Sequence, residues 1–196
     1  MVGTDEAAVE ADLLRGRLVC PPCGGVLRPW GHARHRVLRR AEGEVLLHPR
    51  RARCRSCRRT HVLLGDCCLI RRRDHVERIV AALLSRAQGN GYRRIATTLG
   101  LRHVATTVRG WLRAFSRAAE ELRAYFTRRA YALDPDLGPI AAMGGVVADA
   151  VEAMAVAARA AVQRFGPLRV GARVARLSGG ALLCHTSYPL PAPPGL

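Results

Sequence analysis

From Val26 to Leu64, short apolar and polar runs alternate and are broken by Gly, Pro and charge. This period-two pattern is that of half-buried strands. It predicts strands over Val26–Trp30, Arg34–Leu38, Glu44–Leu47, Arg50–Arg53 and Thr60–Leu64, with a hairpin turn at Ala41-Glu42-Gly43. After Asp74 the period changes. Val76, Ile79, Val80, Leu83 and Leu84 recur at helical spacing, Asp74 suits an N-cap, and Gly89-Asn90-Gly91 ends the helix. A short second helix over Tyr92–Leu99 turns Ile95, Ala96 and Leu99 inward, and Gly100 turns the chain. A third helix carries Val108, Trp111, Leu112 and Phe115 on one face. Three short helices with a Gly-bearing turn before the last predict a helix-turn-helix unit.

Leu112, Phe115, Ala119, Leu122, Phe126 and Arg129 continue at near-heptad spacing to the break Asp134-Pro-Asp-Leu-Gly-Pro139. Beyond it Ile140, Val147, Met154 and Ala161 fall seven apart, with Met143, Val151, Ala158 and Phe165 as a second line. The pattern predicts a long Ala-rich helix to about Phe165 and an antiparallel helical hairpin. Its apolar lines pack either within the chain or as a homodimer interface. The expected fold class is α+β. Residues 1–19 form a leader with a short helix over Glu6–Leu14, 20–73 a β module, 74–116 the helix-turn-helix, and 117–165 the hairpin. Residues 166–196 form a Pro/Gly-rich tail, expected to be disordered at least from Ser187.

Cysteine spacing gives the β module its chemistry. Cys20-Pro-Pro-Cys23 and Cys54-Arg-Ser-Cys57 each bring two thiols to one tight turn, with the small pair Gly24-Gly25 after the first. Four thiolates complete a tetrahedron, so Cys20, Cys23, Cys54 and Cys57 are expected to hold one structural Zn2+ per chain, with no open position for catalysis. Strand, knuckle, strand, twice over, is a zinc ribbon. The thirty residues between the pairs exceed the simplest spacing and fit an added hairpin. Cys67-Cys68 reads as a pair of small hydrophobes near a domain junction. His32, His35, His48, His61, Cys67, Cys68 and Cys184 are replacement ligands only if one of the four cysteines is not a ligand.

Charge changes the picture again. The chain of 196 residues carries net +17, and every basic residue counted in that balance is Arg. Residues 20–74 hold fourteen Arg against four acids and residues 75–131 eleven against three, whereas the last third is nearly balanced. Part of the Arg and Ala richness fits a GC-rich coding sequence, but the clustering favours a polyanionic partner. Residues 1–18 are acidic, without the basic and apolar regions of a secretory signal. No uncharged run reaches the ~18–20 residues of a membrane span. A reducing cytoplasm, with the protein on the nucleoid, is the expected setting.

The stretch Gly91-Tyr-Arg-Arg-Ile-Ala-Thr-Thr-Leu-Gly-Leu101 followed by Ala105-Thr-Thr-Val-Arg-Gly-Trp-Leu-Arg113 resembles the helix-turn-helix of transposases and related insertion-sequence proteins. Cys20-Pro-Pro-Cys23-Gly-Gly and Arg53-Cys54-Arg-Ser-Cys57-Arg-Arg-Thr-His are similar to the zinc-binding N-terminal region of the same proteins. The resemblance covers about residues 20–116 and implies a bacterial zinc-ribbon plus helix-turn-helix protein. The segment from Gly100 to Val108 is longer than the tight form, so either the turn is extended or the third helix starts early, at Arg102.

The resulting expectation is a sequence-specific binder of double-stranded DNA, without catalysis. It is a transcription regulator or a transposase-derived recognition protein. Thr106, Thr107 and Arg109 are expected at base edges, with Arg102 and Arg113 on phosphate and His103 near the helix start. Arg71, Arg72 and Arg73 are expected on the backbone between two modules, and the arginines flanking the second knuckle give the ribbon its own phosphate-binding surface. The alternative is an RNA-binding or protein-docking zinc ribbon. A complete transposase would need three acids around two metal ions on an α/β domain. The acids after residue 116 (Glu120, Glu121, Asp134, Asp136, Asp149 and Glu152) fall on predicted helices or turns.

Overall fold

The computed structural model describes residues 1–3, 5–101, 104–184 and 190–191. A short helix leads. In α1 (Glu6–Leu14), Asp5 Oδ1 accepts from the Ala7 and Ala8 amides at 3.0 and 3.2 Å, and Val9 and Leu13 face inward. Five strands follow: β1 (Leu27–His32), β2 (Arg36–Arg40), β3 (Gly43–Leu47), β4 (Arg50–Cys54) and β5 (Thr60–Val62). They form a three-stranded antiparallel sheet in the order β1-β4-β5 and a separate β2–β3 hairpin, which accounts for the long spacer between the cysteine pairs. The strand starting at Arg34 in the sequence reading begins at Arg36, because its edge is set by pairing with Leu47 of β3.

Alternation decides which face of the sheet is buried. Leu27 opposite Cys54, and Ala52 opposite Pro29 and His61, point toward Leu13 and the thiols. Arg28, Trp30, Arg51, Arg53, Thr60 and Val62 occupy the other face. Trp30 there is 49% exposed.

The helical part comprises α2 (Val76–Ala87), α3 (Tyr92–Thr98), α4 (Ala105–Arg117), α5 (Ala119–Leu133), α6 (Val146–Phe165) and α7 (Val170–Leu177). Val76, Ile79, Val80, Leu83, Ile95, Ala96, Val108, Trp111, Leu112 and Phe115 enter one core, as periodicity predicts. Leu84 does not; it is exposed at 38%. Nor is Asp74 the N-cap of α2. That role falls to His75, whose Nδ1 accepts from the Glu77 amide at 3.3 Å. Asp74 is buried instead, with Oδ2 accepting from Arg39 Nη2 at 3.1 Å. Its burial pushes the carboxyl above its ordinary range against the pull of Arg39.

Two corrections concern the C-terminal third. The helix after Pro139 begins only at Val146, so Ile140 and Met143 precede it, and Phe165 at its end is exposed. The stretch 166–196 is not a featureless tail, since α7 lies within it. The carboxylate of Glu77 accepts from the Gly171 and Ala172 amides at 3.1 Å each, occupying the N-terminus of α7. A Cβ on Gly171 would lie 2.7 Å from that carboxylate and would displace it. Tyr125 of α5 donates to the Leu177 carbonyl at the other end of α7. Ser187 falls outside the described residues.

Backbone pairing joins the two parts. Arg39 of β2 donates to the Arg73 carbonyl at 2.7 Å and accepts from the His75 amide at 2.9 Å. Arg36 and Arg78 add side-chain bonds to the carbonyls of Arg72 and Arg40. Cys67 and Cys68 pack against Leu38 at this junction, in the role their sequence suggests.

Candidate metal centre

Both knuckles are built alike. The Cys20 amide donates to the Gly25 carbonyl at 2.8 Å, and the Cys54 amide to the Arg59 carbonyl at 2.9 Å. In each case the residue after the second cysteine takes a left-handed conformation, Gly24 at φ 68° and Arg58 at φ 63°. Just outside each turn the chain closes on itself, by the Val19–Val26 bridge in one knuckle and the Arg53–Thr60 pair in the other. Two equivalent turns thus face each other across the end of the sheet.

The four Sγ atoms of Cys20, Cys23, Cys54 and Cys57 all lie within 4.8 Å of one another. Cys20 and Cys57 are 3.6 Å apart, and Cys23 and Cys54 3.5 Å. Thiolates bound to a tetrahedral metal at about 2.3 Å lie ~3.8 Å apart, so the cluster has the size of such a site. The group can hold one metal ion with every position filled by sulfur. Cys20 and Cys54 are buried, Cys23 and Cys57 exposed, so the site straddles the surface. Gly25 sits where the knuckles cross. A Cβ there would meet Ser56 Oγ at 2.5 Å and Cys54 Sγ at 2.9 Å.

Without metal the thiols divide. The Cys57 amide, assisted by the Cys23 thiol and the Ser56 amide, holds Cys54 down to about 6. Burial and neighbouring thiols push Cys20 up to about 12. Amides already aimed at sulfur favour the thiolate form that binds metal. His61 of β5 brings Nε2 to 3.2 Å from Cys20 Sγ. It stands behind a ligand, the position from which a ring N–H steadies a thiolate and tunes metal affinity. Its place in the Thr60–Leu64 run just after the second knuckle was the available sequence signal.

Among the described residues, no other histidine joins the cluster. His48 is stacked between His32 and His35, with ring centroids 4.4 and 4.1 Å away. Desolvation, then the charges of His35 and His32, holds His48 below its ordinary value.

The other predicted site residues lie on two surfaces. On α4, Thr106 and Arg113 are exposed, while Thr107 and Arg109 are half-buried. The Arg109 guanidinium lies 5.7 Å from the Tyr92 ring of α3. Arg102 and His103 fall outside the described residues, and α4 spans Ala105–Arg117. Arg71, Arg72 and Arg73 line, with His35 and Arg36, an open pocket of about 400 Å³. Arg72 is also committed inward, donating to the Leu183 carbonyl at 3.0 Å.

Comparison with protein-family models, with curated proteins and with solved structures finds no match. Among the described residues, no helix is long and apolar enough to cross a membrane.

Proposed function

We propose that this protein binds double-stranded DNA sequence-specifically, as a zinc ribbon joined to a helix-turn-helix. It acts as a transcription regulator or a transposase-derived recognition protein. Zinc is the metal of the four-cysteine cluster, because four thiolates with no open position suit a structural zinc site.

The observation that carries the reading is the division of α4. Val108, Trp111, Leu112 and Phe115 are buried, and the opposite side presents Thr106, Gly110 and Arg113 without a single acid on the helix. Gly110 has open space where a Cβ would stand, so packing within the chain does not demand glycine. A glycine within a helix costs ~0.5–1 kcal/mol against alanine, and close approach to a groove gives it a use. The N-cap of α4, Val104, makes no side-chain hydrogen bond to the first turn, which leaves amides for a phosphate. The arginine-lined pocket at residues 71–73 suits a second backbone contact. In this reading Thr106, Thr107 and Arg109 meet base edges and Arg113 meets phosphate.

The test is selection of duplex sites from a random library, followed by affinity of Arg109→Ala on the selected site and on random duplex. We expect a loss of about 1–3 kcal/mol confined to the selected site. Equal loss on both restricts Arg109 to phosphate contact. Affinity that ignores salt overturns the polyanion reading altogether.

A further inference from the structure

The duplex reading gives the arginines around the second knuckle only phosphate contacts and gives Trp30 on the adjoining sheet face no role. On the face of the β1-β4-β5 sheet turned away from the thiols, the register brings Arg28, Arg53 and Thr60 into one row and Arg51 and Val62 into another, with Trp30 on the same side of β1. Trp30 and Val62 are 49% and 48% exposed. The Arg53 guanidinium carbon lies 4.6 Å from the Trp30 ring centroid, and its Nε donates to the Arg58 carbonyl at 3.2 Å. The indole is therefore held by a cation that is itself tied to the knuckle. Arg55, Arg58 and Arg59 lie in the adjoining knuckle and are exposed.

Charge on this face is uncompensated. None of the three strands contains an acid. Arg50 is balanced by Glu10 at 2.7 Å, but among the described residues Arg28, Arg51, Arg53, Arg55, Arg58 and Arg59 form no ion pair. A sheet face with a half-exposed aromatic ring amid arginines that form no ion pair combines the two features that hold unpaired nucleotides, a stacking platform and phosphate partners. A duplex keeps its base faces inside its own stack and offers the indole nothing to stack on.

We propose that this face binds single-stranded nucleic acid. Trp30 stacks on an unpaired base, while Arg51, Arg53 and the knuckle arginines Arg55, Arg58 and Arg59 hold the flanking phosphates. The protein then has two nucleic-acid surfaces of different kinds, α4 for paired DNA and the sheet for an unpaired stretch.

The chain contains two tryptophans, and Trp111 is 2% exposed within the helical core, so a change in emission on binding reports Trp30. The experiment titrates the metal-loaded full chain with oligothymidylate and oligouridylate of about 12 nucleotides, within the span such platforms cover, and with a blunt duplex of equal length. Saturable quenching by the single strands, together with a fall in affinity of roughly 10-fold or more in Trp30→Ala read by the anisotropy of a labelled strand, supports the proposal. Trp30→Phe, which keeps a ring, should recover most of that affinity. Circular dichroism and metal content establish that the Trp30 variants stay folded. Quenching by only one of the two single strands assigns the surface to DNA or to RNA and supports the proposal. Two outcomes overturn it: single strands that leave the emission unchanged, or single-strand affinity that survives Trp30→Ala and falls with Arg113→Ala. The duplex reading is judged separately, by binding to selected duplex sites, which Trp30→Ala should leave intact.

Discussion

Around its sheet the β module buries Leu13, Leu27, Ala52, Cys20 and Cys54, and two of these five are thiols of the metal cluster. The helical part gathers thirty buried side chains among the described residues, from Leu69 to Leu183, including Trp111, Phe115, Phe126 and Met154. The same chain thus uses two different sources of stability. Two leucines and an alanine cannot offset the ordering of that much backbone. Its four-cysteine cluster can hold a metal ion, and in the proposed reading that ion connects the two knuckles. The helices need no ion, because amphipathic faces close on one another. Surface charge follows the same division. The β module has a small core and leaves its sheet face to arginines and a half-exposed tryptophan, whereas the helical part buries Trp111, Phe115, Tyr125 and Phe126 and leaves only Tyr131 and Phe165 exposed among its described aromatic residues.

Metal removal strikes this contrast hardest. Binding to a four-thiolate zinc site contributes about 10–16 kcal/mol, which in such modules is folding free energy. Chelation should unfold residues 20–64 and change Trp30 emission while most helical circular dichroism persists, with one metal per chain by elemental analysis. Concerted loss of the helices would instead make the Arg39 pairing with residues 73–75 the dominant coupling. Trp111→Ala probes the other side. The buried indole should cost about 3–5 kcal/mol of helical stability in denaturant unfolding, with metal content unchanged. Release of metal by this variant would mean that the two parts stand or fall together.

The smallest effect sits at the junction. His75 is buried, and burial, with the charges of Arg169 and Arg40, lowers its pKa against the pull of Glu77 and Glu42. Its Nδ1 caps α2 only while unprotonated. The folded value lies below the ordinary 6.5, so the unfolded chain takes up the proton first. Stability is therefore full above that pH and is lost as pH falls through and below it. Asn keeps a cap and does not titrate, so His75→Asn should flatten this part of the acid loss, while His75→Ala should cost about 1 kcal/mol at neutral pH. Acid sensitivity unchanged in the Asn variant would assign it to other groups, the stacked His48 foremost.

Much of this organisation was legible in the chain. Two Cys-x-x-Cys turns specify four converging thiols, because each motif is itself a tight loop and the intervening strands alternate in register. The three-helix faces were equally readable, since a period of 3.6 residues marks a buried stripe whatever it packs against. Tertiary structure decided the rest. His61 stands behind Cys20, across 41 residues of chain. Glu77 holds the start of α7 across 94 residues, placing a packed helix in a stretch whose sequence reads as a Pro/Gly-rich tail. His75 takes the cap because Asp74 is drawn inward by Arg39, a partner 35 residues away. Periodicity and motif spacing are local and survive in the bare sequence. These contacts depend on where distant elements come to rest, and only the packed chain sets that.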